Sequence, residues 1–313
     1  FLRHIFPPDF LPAKIDIFPR IPTFAPFYLH NTMQLIADSG STKTTWCVAD
    51  KGSVVAQRLT GGMNPFFQSE EEMRRLLAEE LLPGLKGFAI TQIFFYGAGC
   101  AFPEQTEAVR RAVLSLWNGA DVRVESDLVG AAHSLCGDEA GIACILGTGS
   151  NSCLYDGRSI RQQVSPLGFI LGDEGSGAVL GKLLVGDCLK GQLPPEISRR
   201  FLEEYRLTPQ IILNRVYRQP FPNRFLASLS PFLARHLDVP EVRRIVFGSF
   251  QSFFRRNVMA YEGYNRLPVH FTGSVAYYYR PVLAEAAASV GIRLGNVVRD
   301  PMDGLIRFHA PEK

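Results

Sequence analysis

An apolar run that breaks into glycine and hydroxyls occurs twice in this chain, and that repetition constrains the fold more than any other feature. "LIADSGSTKTTWCVADKGSV", from Leu35, can be laid against "CILGTGSNSCLYDGRSI", from Cys144. Each copy is a strand entering a short loop. Each leaves through a second strand that carries a cysteine (Cys47, Cys153), then turns at an acid and a glycine (Asp50 and Gly52; Asp156 and Gly157). Two like units at such a distance suggest a duplicated domain. Residues of this kind make plain hairpin turns. They also make phosphate cradles, because small residues expose backbone amides and a leading carboxylate can organise a divalent metal. Two such loops facing one another across a cleft would form a clamp.

The order of elements fits that architecture. "QLIADSG", "TTWCVAD" and "SVVAQRLTGG" read as three strands joined by tight turns. "SEEEMRRLLAEELLPGL" reads as one helix with a serine cap, acids in its first turn, and an end at Pro83 and Gly84. Strand "ITQIFFYGAG", helix "PEQTEAVRRAVLSLW", strand "DVRVESD" and the small-residue helix "LVGAAHSLCG" then alternate up to the second copy. Alternation of this kind predicts an α/β fold with mixed sheets and flanking helices. Residues 194–265 read as helices rich in Phe, Arg and Leu, without a catalytic constellation.

The first 32 residues stand apart, with Pro7, Pro8, Pro12, Pro19, Pro22 and Pro26 among scattered aromatics. That proline density forbids a helix or a central strand. The expectation is a functional chain beginning at Met33, with residues 1–32 outside the functional fold.

Composition excludes several classes. With 313 residues, 46% hydrophobic and a net charge of +3, the chain is large enough for two domains and too weakly basic to argue for nucleic acid. The paired arginines (Arg199 with Arg200, Arg243 with Arg244, Arg255 with Arg256) read as solvated helix faces. No apolar run of roughly 20 residues predicts a membrane span. Six cysteines (47, 100, 136, 144, 153, 188) form no C-x-x-C, which fits buried thiols in a reducing cytoplasm. His133, His236, His270 and His309 lack metal-ligand spacing, so no protein-bound zinc or iron is expected. "GTGSNS" lacks the third glycine of a dinucleotide fingerprint, and Lys43-Thr44 lacks the glycines of a P-loop.

Five ordered segments, "DSGSTKT", "ESDLVGAA", "LGTGSNS", "LGDEGSGAVLG" and "FTGSVAYYY", resemble the sugar kinase, Hsp70 and actin superfamily. The likeness is to its N-acetylglucosamine kinase branch, which also contains ATPase activators of dehydratases. The resemblance implies two ribonuclease H-like lobes with a nucleotide cleft between them. The first lobe would span 33–136, the second 137–298, and a segment over 299–313 would return to the first. It further implies ATP and Mg²⁺ as cofactors, a small-molecule amino sugar as partner, no nucleic acid or membrane partner, and leaves a homodimer open.

Residue by residue, the resemblance implies that Gly40, Ser41, Thr42 and Lys43 face the β- and γ-phosphates and that Asp38 holds Mg²⁺ through water. Gly147, Thr148 and Gly149 would take the other side of the phosphates. Gly273, Ser274 and Val275 match the adenosine-contacting segment. Asp127 matches the base that accepts the proton of the attacking sugar hydroxyl, although a carboxylate at a strand-to-helix junction can equally be an N-cap. Asn64, Ser150, Asn151 and Asp173 would bind the sugar beside the turn Pro166, Leu167, Gly168 and Phe169, a turn that lacks the tryptophan of the better-known form. Glu174 reads as a helix-start acid favoured by the dipole, with a supporting place behind the sugar-binding residues as the alternative. The expected reaction is phosphorylation of the 6-hydroxyl of N-acetylglucosamine or a close amino sugar. N-acetylmuramic acid or glucosamine as substrate, and an iron–sulphur ATPase activator, stay open as alternatives.

Overall fold

The computed structural model describes residues 33–40 and 42–311; the proline-rich first 32 residues and Ser41 lie outside the described residues. Strands β1 (Met33–Ser39), β2 (Lys43–Asp50) and β3 (Ser53–Gly61) form an antiparallel meander. Strands β4 (Ile90–Gly97) and β5 (Asp121–Ser126) add in parallel, giving the order β3-β2-β1-β4-β5. β1 is apolar throughout its middle because both of its faces are covered. Leu35 and Ala37 pack with Trp46, Val48 and Phe95 on one face, and Ile36 packs with Cys47, Phe94 and Tyr96 on the other.

Two helices close the first face: α1 (Glu70–Leu76) and α2 (Pro103–Leu114). α1 begins in a reciprocal capping box between Ser69 and Glu72. The single helix expected over this stretch is not what forms. The coil widens to a π turn over Leu77–Leu81 and then tightens to a 3₁₀ turn over Leu82–Leu85. Pro83 has no N–H to continue the α ladder, and the widened turn keeps both Leu77 and Leu81 buried in the core.

After α3 (Asp127–Cys136) the pattern repeats. β6 (Ala140–Leu146), β7 (Ser150–Asp156) and β8 (Ile160–Gln163) run antiparallel, and β9 (Val269–Thr272) and β10 (Leu294–Val298) add in parallel to β6. The order β10-β9-β6-β7-β8 is the first sheet's order strand for strand. Between β8 and β9 lie α4 (Gly168–Leu171), α5 (Gly177–Leu189), α6 (Pro195–Glu204), α7 (Pro209–Tyr217), α8 (Pro222–Leu229), α9 (Pro231–Arg235) and α10 (Pro240–Arg256). α11 (Ser274–Tyr278) and α12 (Arg280–Ser289) precede β10, and α13 (Met302–Phe308) follows it. The second core is phenylalanine-rich: from one stripe of α10, Phe253 and Phe254 meet Phe271 of β9, and Phe250 meets Tyr279.

The lobes exchange helices. α3 leaves the first sheet and lays Leu128, Ala131, Ala132 and Leu135 against Ala143, Cys153 and Tyr155 of the second. α13 leaves the second sheet and lays Met302, Leu305 and Ile306 against Ile36, Cys47 and Ala49 of the first. The two helices also touch: Ser134 Oγ donates to the Pro301 carbonyl at 2.8 Å. At this seam Tyr96 Oη lies 2.9 Å from both His133 Nδ1 and His309 Nε2, with His309 stacked on Phe94 and His133 on Phe308. Burial holds both imidazoles down at about 4.

Candidate active site

The two glycine loops open onto one cavity of ≈ 430 Å³ between the sheets. On the first side, Ser39 is fully buried and ties the loop down. Its Oγ lies 2.8 Å from Thr44 Oγ1, donates to the Met63 carbonyl, and accepts from the Met63 amide. Gly40 N–H donates to the Lys43 carbonyl at 3.0 Å, closing the turn. Asp38, Gly40, Thr42 and Lys43 line the cavity.

On the second side, Gly147 N–H donates to the Gly149 carbonyl, and the start of α5 grips the loop from below. Gly177 N–H donates to the Gly147 carbonyl at 2.8 Å and Ala178 N–H to the Thr148 carbonyl at 3.1 Å. With those carbonyls occupied, the amides of Thr148 and Gly149 have no partner among the described residues. Amides left this way in a bend are ready acceptor-seeking donors for an anion. Gly273, at φ +114°, crosses so close beneath β6 that a Cβ there would lie 2.3 Å from the Leu146 carbonyl oxygen. Only glycine fits.

Asp127 also lines this cavity. The alternative that it serves as an N-cap is removed: Ser126 is the cap, its Oγ accepting from the Val129 amide at 3.3 Å, and Asp127 is the first helical residue. Burial pushes its carboxyl upward, while the amides of Leu128 and of Asp127 itself pull it back. Asp38 is raised to about 7, first by burial and then by the charges of Asp127 and Asp300, against the pull of Lys43. The cavity thus concentrates negative charge at one end and sets Lys43 and Arg299 beside it.

Ser150, Asn151, Gly273 and Ser274 line the cavity as well. The remaining residues expected around the sugar do not line it. Asp173 sits directly behind the second loop, accepting from the Ser150 amide, and burial raises it to about 6. Its own amide donates to the Pro166 carbonyl at 2.9 Å, which ties Pro166, Leu167, Gly168 and Phe169 to the loop at one remove. Asn64 spends its Oδ1 on the Phe66 amide at 3.0 Å, leaving Nδ2 as the donor. Val275 turns its side chain into the second core, away from the cavity. Ser41 lies outside the described residues. Glu174 is not a helix-start acid: α5 begins three residues later under a Ser176 cap, and Glu174 instead pairs with Arg256 at 2.9 Å.

Sequence reasoning missed Thr272, Arg299 and Asp300, which line the cavity from β9 and the β10–α13 turn. One signal was available. "SDL" at the end of β5 and "RDP" after β10 each put an aspartate between a strand and a helix.

A divalent cation with a nucleotide polyphosphate fits this donor set: carboxylates at one end, unpartnered amides and two cations beside them. Among the described residues no three acidic, histidine or cysteine side chains approach closely enough to ligate a metal by themselves.

The fold and this cavity define a two-lobed α/β protein of the sugar-kinase and actin type. A candidate N-acetylglucosamine kinase of Porphyromonas gingivalis is 51% identical, over 89% of this chain and 99% of that one, with a TM-score of 0.87. The chain belongs to that protein's family within the sugar-kinase superfamily. A second candidate N-acetylglucosamine kinase, from Chromobacterium violaceum, shares the fold at 18% identity, over 88% of this chain and 98% of that one, with a TM-score of 0.71. The ROK-family glucokinase of Streptomyces griseus, solved with glucose and AMPPNP, shares it at 15% identity, over 88% and 97%, with a TM-score of 0.53. No family model matches the sequence, and neither does any curated protein.

Proposed function

We propose that this protein is an ATP-dependent kinase acting on the 6-hydroxyl of N-acetylglucosamine or a close amino sugar. The observation that carries the reading is Asp127, freed from capping by Ser126, opening into the cavity that both glycine loops line. Phosphoryl transfer asks little covalent work of a protein, so positioning and charge neutralisation dominate. The Thr148 and Gly149 amides and the Lys43 ammonium would bind phosphate oxygens, and Asp38 would hold Mg²⁺ through water. When bound, the cation neutralises charge on the transferring group. Asp127 would take the proton of the sugar hydroxyl, and its upward shift makes it a better base than a solvated aspartate. Ser150 and Asn151 would meet sugar hydroxyls and the acetamide, with Asp173 bracing Ser150 from behind.

The six thiols count against the iron–sulphur reading. Five are buried and scattered through both sheets, the β4–α2 loop and α5, and burial pushes Cys47 up to about 11 and Cys100 and Cys153 to about 12, away from the thiolate that ligation needs. A coupled assay of ADP release across N-acetylglucosamine, N-acetylmuramic acid, glucosamine and glucose tests the proposal. Stimulation strongest with N-acetylglucosamine is the expected outcome; no stimulation by any sugar overturns it.

A further inference from the structure

One wall of the cavity has no task in the reading above: the turn Arg299–Asp300–Pro301 between β10 and α13. Its position follows from the duplicated topology. β5 and β10 hold the same place in their sheets, each is followed by a helix that crosses to the other lobe, and each junction delivers an aspartate to the same cavity. Asp300 is therefore the topological counterpart of Asp127.

Thr272 supplies a second and independent observation. It is 3% exposed, it lines the cavity, and its Oγ1 has no hydrogen-bond partner. In the sheet it pairs with Ile145 of β6 and Val298 of β10, both of which pack on the α3 side, so its hydroxyl sits on the face from which α3 and Asp127 arise. A buried hydroxyl without a partner is costly, and one that also lines a cavity is placed to take a ligand atom or a water bound to it. The charges give the third argument. Asp38, Asp127 and Asp300 would repel a polyphosphate lying between Lys43 and Arg299 unless a cation stood between them.

We propose that Asp300 is a second cation-positioning carboxylate, acting with Asp38 on the water shell of the divalent ion that accompanies the nucleotide, with the Thr272 hydroxyl completing that shell. The inference rests on the nucleotide reading of the cavity. A role through water accords with Mg²⁺, which keeps several of its waters in protein sites.

Asp300 has a structural duty too, since its Oδ1 accepts from the Met302 amide at 3.3 Å at the start of α13. Asp300→Asn keeps that acceptor and removes only the charge. The experiment is calorimetric titration of AMPPNP into wild type and Asp300→Asn, once with Mg²⁺ and once with EDTA, alongside Mn²⁺ binding followed by electron paramagnetic resonance. Asp300→Asn should bind the magnesium complex about tenfold more weakly and the metal-free nucleotide about as well or better, because repulsion is relieved. Thr272→Val should weaken only the metal-bearing form, by a smaller factor. A loss of equal size in both conditions, or no loss in either, overturns the inference while leaving the kinase reading intact. Wild type that binds AMPPNP in neither condition overturns both.

Discussion

The two glycine loops spring from sheets of one topology yet meet the cavity with opposite chemistry. The β1–β2 loop brings charge, Asp38 and Lys43, and is anchored by hydroxyls: Ser39 and Thr44 reach the carbonyls of Met63 and Gly61. The β6–β7 loop brings no charge. It offers bare amides and is anchored by backbone, through the first turn of α5. In the kinase reading proposed above, the first loop would place the cation and the second would cradle phosphate oxygens. The comparison teaches that a repeated backbone leaves the chemistry of each copy free to diverge, because strand pairing uses main-chain groups while the loop tip is set by a few side chains.

The sharpest way to break this picture is at the aspartate that serves neither loop. Asp127→Asn should fold normally, since the cap belongs to Ser126, and keep nucleotide affinity while kcat falls by roughly 10²–10⁴-fold. Turnover near wild type would remove Asp127 from the chemistry. Next come the cation and the cradle. Lys43→Met should cost about 10–100-fold in affinity for AMPPNP, the worth of a charge-assisted contact, and high salt should mask part of it.

The glycines distinguish the loops more finely. A Cβ on Gly149 would meet Asp173 Oδ2 at 3.1 Å, whereas one on Gly40 would find only the Lys43 carbonyl at 3.8 Å. Gly149→Ala should therefore weaken nucleotide binding several-fold, and Gly40→Ala should fall within about twofold of wild type. Equal effects would erase the asymmetry.

The smallest effect concerns acid. The fold holds His133 and His309 neutral, down at about 4, against about 6.5 in an unfolded chain. The unfolded state takes up protons first as pH drops, so the stability these groups contribute is full above about 6.5 and drains away toward 4. Asp38, raised to about 7, has the opposite sign: its contribution is full at low pH and is lost as pH rises through 7. Asp173, raised to about 6, and Asp127, also raised, oppose the histidines in the same window, so the readout is a difference between variants. In urea titrations His309→Phe should lose about 1 kcal/mol less unfolding free energy than wild type between pH 6.5 and 4.5, after discounting for partial exposure.

Much of the architecture was legible in the chain. β1 and β6 read as buried strands because uninterrupted apolar runs ended by glycine have few other homes, and the echo between them matches the shared strand order. α1 was legible at its start, where Ser69 and Glu72 satisfy each other locally, and illegible at its end, where burial of Leu77 and Leu81 decided the coil. Glu174 misled for the same reason: its partner Arg256 is far along the chain, and nothing local advertises it. Residues of both glycine loops and Asp127 were named because each belongs to a compact motif. Thr272 sits inside the quoted "FTGSVAYYY" but carried no assigned role, and Asp300 belongs to no quoted motif.

What the sequence by itself determined is local: two hairpins with glycine tips, a capped small-residue helix, and the identity of the groups that could touch a phosphate. Only the tertiary structure decided which of those groups share a cavity. Each lobe sends a helix across to the other, and a side chain's neighbours after that exchange depend on sheet order and crossing, which short-range patterns do not encode. Asp127 and Asp300 stand far apart in the chain and reach one cavity because two copies of one topology face each other.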